Sequence, residues 1–323
     1  MRLFSNATND GRKTRRRMAA LLGAATIVTS SGVAAHWFGG DWKPIAFGPW
    51  RAPVSAEQGS NAELNTASND GCPILSPDGL SLYMATNRPG GLGGQDIWVA
   101  HRQTVKSGWG APVNLGAPVN SAADDFCPDP VIGKGLFFVS KRTEPNGDIY
   151  FTRQDRHGQW KEPVHLGPNI NSADQEWSPS FYIDDQGRLI LYFGSTRPGG
   201  PGMQDIYYSV NFGPAQLAPG NLNTPYNDAR PNVRHDGLEI VFDSDRPGGP
   251  GGPDIYTASR SSNSKPWPSA TLLDTLSSTA GDSRASLSWD GSMMVFGSAR
   301  TGGEGQSDIY VTTRPQAGPL RGR

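Results

Sequence analysis

Residues 70–98 read DGCPILSPDGLSLYMATNRPGGLGGQDIW. A short apolar run meets an Asp-Gly turn at Asp78-Gly79, an alternating run follows at Leu82-Tyr83-Met84, and a Pro-Gly-Gly loop leads into Asp96-Ile97-Trp98. Asp-Gly supplies the positive φ of a tight hairpin, and alternation is the mark of a strand. The same order returns four times. Asp-Ile-Tyr begins at Asp148, Asp205, Asp254 and Asp308, at intervals of 52, 57, 49 and 54 residues from Asp96 onward. An arginine precedes each at Arg88, Arg142, Arg197, Arg246 and Arg300. A fourth strand is marked by Trp109, Pro112 and Leu115, repeated at Trp160, Pro163 and Leu166 and more loosely around Trp267.

Four strands in some fifty residues make one blade of a β-propeller, a unit that buries its faces only against its neighbours. The expected fold is all-β, a five-bladed β-propeller with four antiparallel strands per blade. Repeats are expected at about 69–122, 123–172, 173–224, 225–279 and 280–314. The last lacks a Trp-x-x-Pro strand, and Trp50-Arg51-Ala52-Pro53-Val54 carries one at the other end. Residues 42–66 are therefore expected to complete the last blade and close the ring. A single domain over 36–314, a tail over 315–323 and a monomer follow.

Composition agrees. The 323 residues include 41 Gly and 27 Pro, too much turn chemistry for a helical bundle, while 36% hydrophobic content is too high for a disordered polymer. The formal charge of −1 hides an asymmetry: residues 1–35 hold six basic residues and one acidic, so 23 basic and 29 acidic remain. That remainder disfavours nucleic acid, whose backbone needs a basic face. Arg15-Arg16-Arg17 followed by the uncharged 18–35 reads as an export signal of twin-arginine type, cleaved after Ala35, giving a periplasmic or secreted protein. No other segment could span a bilayer, and an uncleaved anchor is the alternative.

The pattern Asp-x-x-Pro, Ser-x-Asp-Gly, Asn-Arg-Pro-Gly-Gly, Asp-Ile-Trp resembles the TolB-like family of WD-repeat-like β-propellers, and the match recurs across residues 70–314. Relatives of that kind serve as periplasmic scaffolds, modules beside peptidoglycan-binding domains, or gating domains of serine peptidases. The resemblance implies an exported binding or scaffold module, with an envelope protein or a cell-wall or extracellular glycan met at one mouth of the central channel. No Gly-x-Ser-x-Gly elbow occurs.

Three sets of residues are candidates. The repeated arginines and the aspartates Asp96, Asp148, Asp205, Asp254 and Asp308 are expected to pair across their loops as structural pins, because one active site would need them once. A second ring of carboxylates, Asp70, Asp125, Glu176, Asp228 and Asp282, precedes the first strands. At the channel mouth these would be the acid and base of a glycoside hydrolase, the alternative function, since five-bladed propellers host glycosidases with carboxylates around the axis. They could also hold Ca2+, or simply cap turns. No other cofactor is expected, and the five histidines lack zinc-ligand spacing. Two residues beyond each carboxylate the repeats differ: Cys72, Cys127, Ser178, Arg230 and Arg284. Arg230 and Arg284 would clamp an anion beside Asp228 and Asp282, or pair with those aspartates. Cys72 and Cys127 could bridge if neighbouring inner strands approach within disulfide reach.

Overall fold

A computed structural model of the chain describes residues 46–317. The expected export segment lies outside the described residues. Strands β1 (Ala46–Phe47) and β2 (Val54–Ser55) precede the first blade, which comprises β3 (Asp70–Leu75), β4 (Ser81–Thr86), β5 (Asp96–His101) and β6 (Val113–Asn114). Blade 2 is β7 (Asp125–Val131), β8 (Gly135–Ser140), β9 (Asp148–Arg153) and β10 (Val164–His165). Blade 3 is β11 (Glu176–Ile183), β12 (Leu189–Ser195), β13 (Asp205–Val210) and β14 (Gln216–Leu217). Blade 4 is β15 (Asp228–Val233), β16 (Glu239–Ser244), β17 (Asp254–Ser259) and β18 (Thr271–Leu272). Blade 5 has β19 (Asp282–Leu287), β20 (Met293–Ser298) and β21 (Asp308–Thr313), and its outermost strand is β2. The pairs Val54↔Val311 and Ser55↔Tyr310 make that closure. A last short strand, β22 (Gln316–Ala317), pairs with β1.

Every blade is antiparallel throughout, so the fold is the five-bladed propeller that the repeats predict. Second strands such as β8 and β12 are buried along their whole length because both faces of a blade are covered by neighbours. The cores lie between blades. Ile97, Val119, Leu136 and Phe138 join blades 1 and 2, while Tyr192, Ile206, Phe242 and Trp267 join blades 3 and 4. Leu64, from the segment after β2, packs with Leu82, Met84 and Ile309 at the seam between the last blade and the first.

Two side-chain devices repeat with the blades. Arg102, Arg260 and Arg314 each donate to the carbonyl of an Asp-Gly turn, at Gly79, Gly237 and Gly291. Each also lies over a tryptophan four residues ahead of a fourth strand, at 4.2 Å from Trp109, 4.0 Å from Trp267 and 4.2 Å from Trp50. Trp50 thus occupies the place in blade 5 that Trp109 occupies in blade 1. Asn65 closes the ring by accepting from Ile309 N–H at 2.7 Å and donating to its carbonyl at 3.2 Å. Asn120, Asn171 and Asn223 do the same for Ile97, Ile149 and Ile206.

Candidate functional site in the axial channel

The ring of carboxylates before the first strands is sealed. Asp70, Asp125, Glu176, Asp228 and Asp282 have side chains with no exposed surface, and their partners are Arg88, Arg142, Arg197, Arg246 and Arg300 respectively. This corrects the expected pairing of those arginines with the aspartates of Asp-Ile-Tyr. The second carboxylate oxygen of Asp70 accepts from Thr66 N–H at 2.7 Å and Thr66 Oγ1 at 2.8 Å. Ser121 and Thr224 serve Asp125 and Asp228 in the same way; Ser172 gives its N–H to Glu176 Oε2 and its hydroxyl to the Oε1 that Arg197 also holds, and the Ser278 N–H serves Asp282. The donors of this turn cap therefore sit four residues upstream of each carboxylate. Each arginine also donates to a carbonyl of the preceding blade's last segment, at Leu64, Val119, Ile170, Leu222 and Leu276. A carboxylate whose lone pairs are filled this way, out of contact with solvent, can neither attack a sugar nor bind a metal. The expectation that this ring lines a channel mouth is overturned for the same reason. Asp228 and Asp282 belong to blade junctions, not to a site with Arg230 and Arg284. Among the described residues no group of three or more His, Cys, Asp or Glu is placed to hold a metal ion.

The aspartates of Asp-Ile-Tyr hold their own loops. Asp96 accepts from Leu92 N–H, Gly93 N–H and Asn114 Nδ2, Asp205 from Gly202 N–H, and Asp308 from Glu304 and Gly305 N–H. Asp148 is bonded instead by His165 Nε2 at 2.8 Å. A Cβ on Gly91, Gly200, Gly249 or Gly303 would land on the carboxylate its loop encloses. One on Gly93, Gly202, Gly251 or Gly305 would strike carbonyls of the following turn. Those two close approaches explain why the loops need glycine at both places. Burial pushes the Asp205 carboxyl up to about 6, against the pull of the Gly202 N–H, and burial raises Asp254 as well.

Asymmetry lies two residues into the inner strands. Cys72, Cys127, Ser178, Arg230 and Arg284 all have left-handed backbone, with φ of 46°, 47°, 53°, 52° and 57°. Each sits at a β-bulge, where the register shifts between Gly71 and Ile74 and at the equivalent places in the other blades. The bulge re-aims that side chain, so simple alternation from the carboxylate does not apply. The five residues differ in kind. Cys72 and Cys127 form a disulfide, with Cα atoms 4.8 Å apart. Ser178 Oγ lies 3.3 Å from Cys127 Sγ. Arg230 is paired with Asp243, an aspartate that the sequence reading missed. Asp243 Oδ1 also accepts the Arg284 backbone N–H at 2.9 Å. Across the blades the residue facing this point on the second strand is Ala85, Val139, Gly194, Asp243 or Gly297, so a comparison of second strands would have exposed it.

Two residues further in, the inner strands are linked around the ring. Phe181 N–H donates to Asp129 at 3.1 Å, Val233 N–H to Ser180 at 2.9 Å, and Leu287 N–H to Asn232 at 2.9 Å. Ser286 Oγ donates to the Pro73 carbonyl at 2.6 Å. Blade 1 has Ile74 here, and the residue its neighbour presents is Pro130, which has no N–H to offer. Burial holds the Asp129 carboxyl well above the ordinary carboxylate range, with the Phe181 N–H opposing.

The fold and this channel define a five-bladed propeller with one asymmetric ring on its axis. No protein-family model matches the sequence, and no curated protein matches it. Among solved structures the chain is similar to an α-L-arabinofuranosidase from Lactobacillus brevis, at 14% identity over 81% of this chain and 94% of that one, with a TM-score of 0.55. It is similar to an endo-arabinase from Bacteroides thetaiotaomicron at 16% identity over 81% and 97%, with a TM-score of 0.53. A putative TolB from Agrobacterium tumefaciens matches at 15% identity over 83% and 100%, with a TM-score of 0.48. At such identities the likeness is one of fold.

Proposed function

We propose that this chain is an exported, non-catalytic propeller that recognises a glycan at one mouth of its axial channel. The observation that carries the reading is a contrast between two rings. Five equivalent carboxylates are each locked to an arginine in a blade junction, whereas the five bulge residues comprise a disulfide, a serine and two arginines. Repetition serves the scaffold, and difference marks a place for a ligand. The basic start followed by an uncharged stretch supports export, and a disulfide suits an oxidising compartment.

A glycan-active enzyme is the second reading, favoured by the names of the arabinan-acting fold neighbours. It would need catalytic carboxylates other than the five sealed ones. The two readings part in a single assay: titrate the full chain with neutral and acidic oligosaccharides by calorimetry, then analyse the mixture for new reducing ends. Saturable heat with intact oligosaccharide supports the binding module. Turnover supports the enzyme, and capture of an envelope protein with no glycan response would replace the glycan with a protein partner.

A further inference from the structure

We propose that Arg284, with Arg230 beside it, forms a site for the carboxylate of an acidic sugar in the axial channel. The proposal rests on the glycan-binding reading and names the ligand's chemistry.

Arg284 is the least satisfied cation of the channel. Its Nε is buried and has no hydrogen-bond partner, and its guanidinium has no acceptor among the described residues. The one nearby carboxylate is already committed, since Asp243 pairs with Arg230 through one oxygen and takes the Arg284 backbone N–H with the other. The remaining ring members, the disulfide and Ser178, are neutral. Two guanidinium groups and one carboxylate are thus electrostatically coupled here, only Arg230 being paired with the carboxylate, which leaves one net positive charge inside the ring. Desolvation of Arg284, together with the Arg230 charge, lowers its pKa to about 10 against the attraction of Asp243. The residue as a whole nevertheless keeps some accessible surface, and 19% of the Arg230 side chain is exposed. Gly71 of blade 1 makes room for the reach of Arg284: a Cβ there would stand 3.1 Å from Nη1.

Removing a guanidinium from water without an acceptor is costly, and a guest that supplies two oxygens in a plane offsets the cost. A carboxylate matches the fork, and its single charge matches the single excess positive charge. A doubly charged phosphate would overshoot it.

The test uses the full chain, with glucuronate as probe, glucose as its neutral counterpart and calorimetry as readout. Glucuronate is expected to bind saturably and glucose at least tenfold more weakly. Arg284→Gln should weaken glucuronate by roughly ten- to a hundredfold, the range of a charged hydrogen bond. Asp243→Asn is the second handle, because it removes the competing charge while its side-chain oxygen can still accept the Arg284 N–H. It should tighten glucuronate several-fold, a gain that a damaged fold cannot produce. Equal binding of glucuronate and glucose, or unchanged affinity in Arg284→Gln, overturns the site. Acidic and neutral oligosaccharides binding wild type and Arg284→Gln alike would sink the carboxylate site while leaving the binding module standing. Hydrolysis by wild type would sink the binding module whatever Arg284 does.

Discussion

At the residue scale the channel sorts its polar groups by whether a neighbour needs them. Ser180 and Asn232 accept an N–H from the next blade as neutral groups, but Asp129 does so as a buried carboxyl. Its folded pKa lies above its unfolded one, so protonation favours the fold. The contribution is fully present below the unfolded value of about 4 and is lost as pH rises through the folded value. Asp129→Asn keeps an acceptor for Phe181 and never ionises. In urea titrations from pH 4 to 9, its stability should match wild type at the acid end and exceed it increasingly as pH rises. A constant offset across that range would mean that Asp129 is not titrating as a buried acid. The sequence exposed Arg230 and Arg284 because position within a repeat is legible without coordinates. Asp243 escaped because its meaning depends on which second-strand residue faces the bulge.

At the element scale the loops and junctions are built from close approach and buried charge. The repeats announced both the arginine and the two acidic rings, yet the partners were misassigned. Asp96 is eight residues from Arg88 and Asp70 eighteen. The nearer one is saturated by the N–H groups of its own loop, a fact of backbone geometry that residue spacing does not carry. Removing the arginine from such a junction leaves a sealed carboxylate unpaired. Arg246→Ala, where the side chains are 13% and 0% exposed, should therefore cost about 3–5 kcal/mol in denaturant unfolding. A loss under 1 kcal/mol would reduce the pair to a surface contact. Gly200→Ala should cost about 1–3 kcal/mol, because the new methyl meets Asp205. The same change at Gly187, where a Cβ meets nothing within 4 Å but φ is 73°, should cost less and only through backbone strain. Calorimetric melts of the two variants provide the comparison.

At the scale of the whole molecule, the ring is closed at one seam and cross-linked at another. β2 completes the last blade, helped by Asn65 and Trp50, and the Cys72–Cys127 bridge ties the inner strands of blades 1 and 2 across a sequence separation of 55. Ring closure was legible because a strand missing from one end stood at the other. The bridge was legible only as a possibility, since its formation depends on how closely the bulges bring two inner strands. Closing a loop of that size is worth about 4 kcal/mol in the chain-entropy description. The Cys72→Ser, Cys127→Ser double variant should thus melt several degrees below wild type, and reductant should lower the wild-type transition toward it. Insensitivity to reductant would show that the thiols are not joined.

Whether the five sealed carboxylates are architecture decides between a binding module and an enzyme. The measurement is made on Asp282→Asn, below its own melting transition: unfolding free energy, and in the same preparation the affinity for an acidic oligosaccharide and the release of reducing ends. The expected result is a variant destabilised by several kcal/mol that still binds the oligosaccharide as wild type does, with no reducing ends released by either protein. A wild type that cleaves the oligosaccharide, and an equally stable Asp282→Asn that does not, would contradict it.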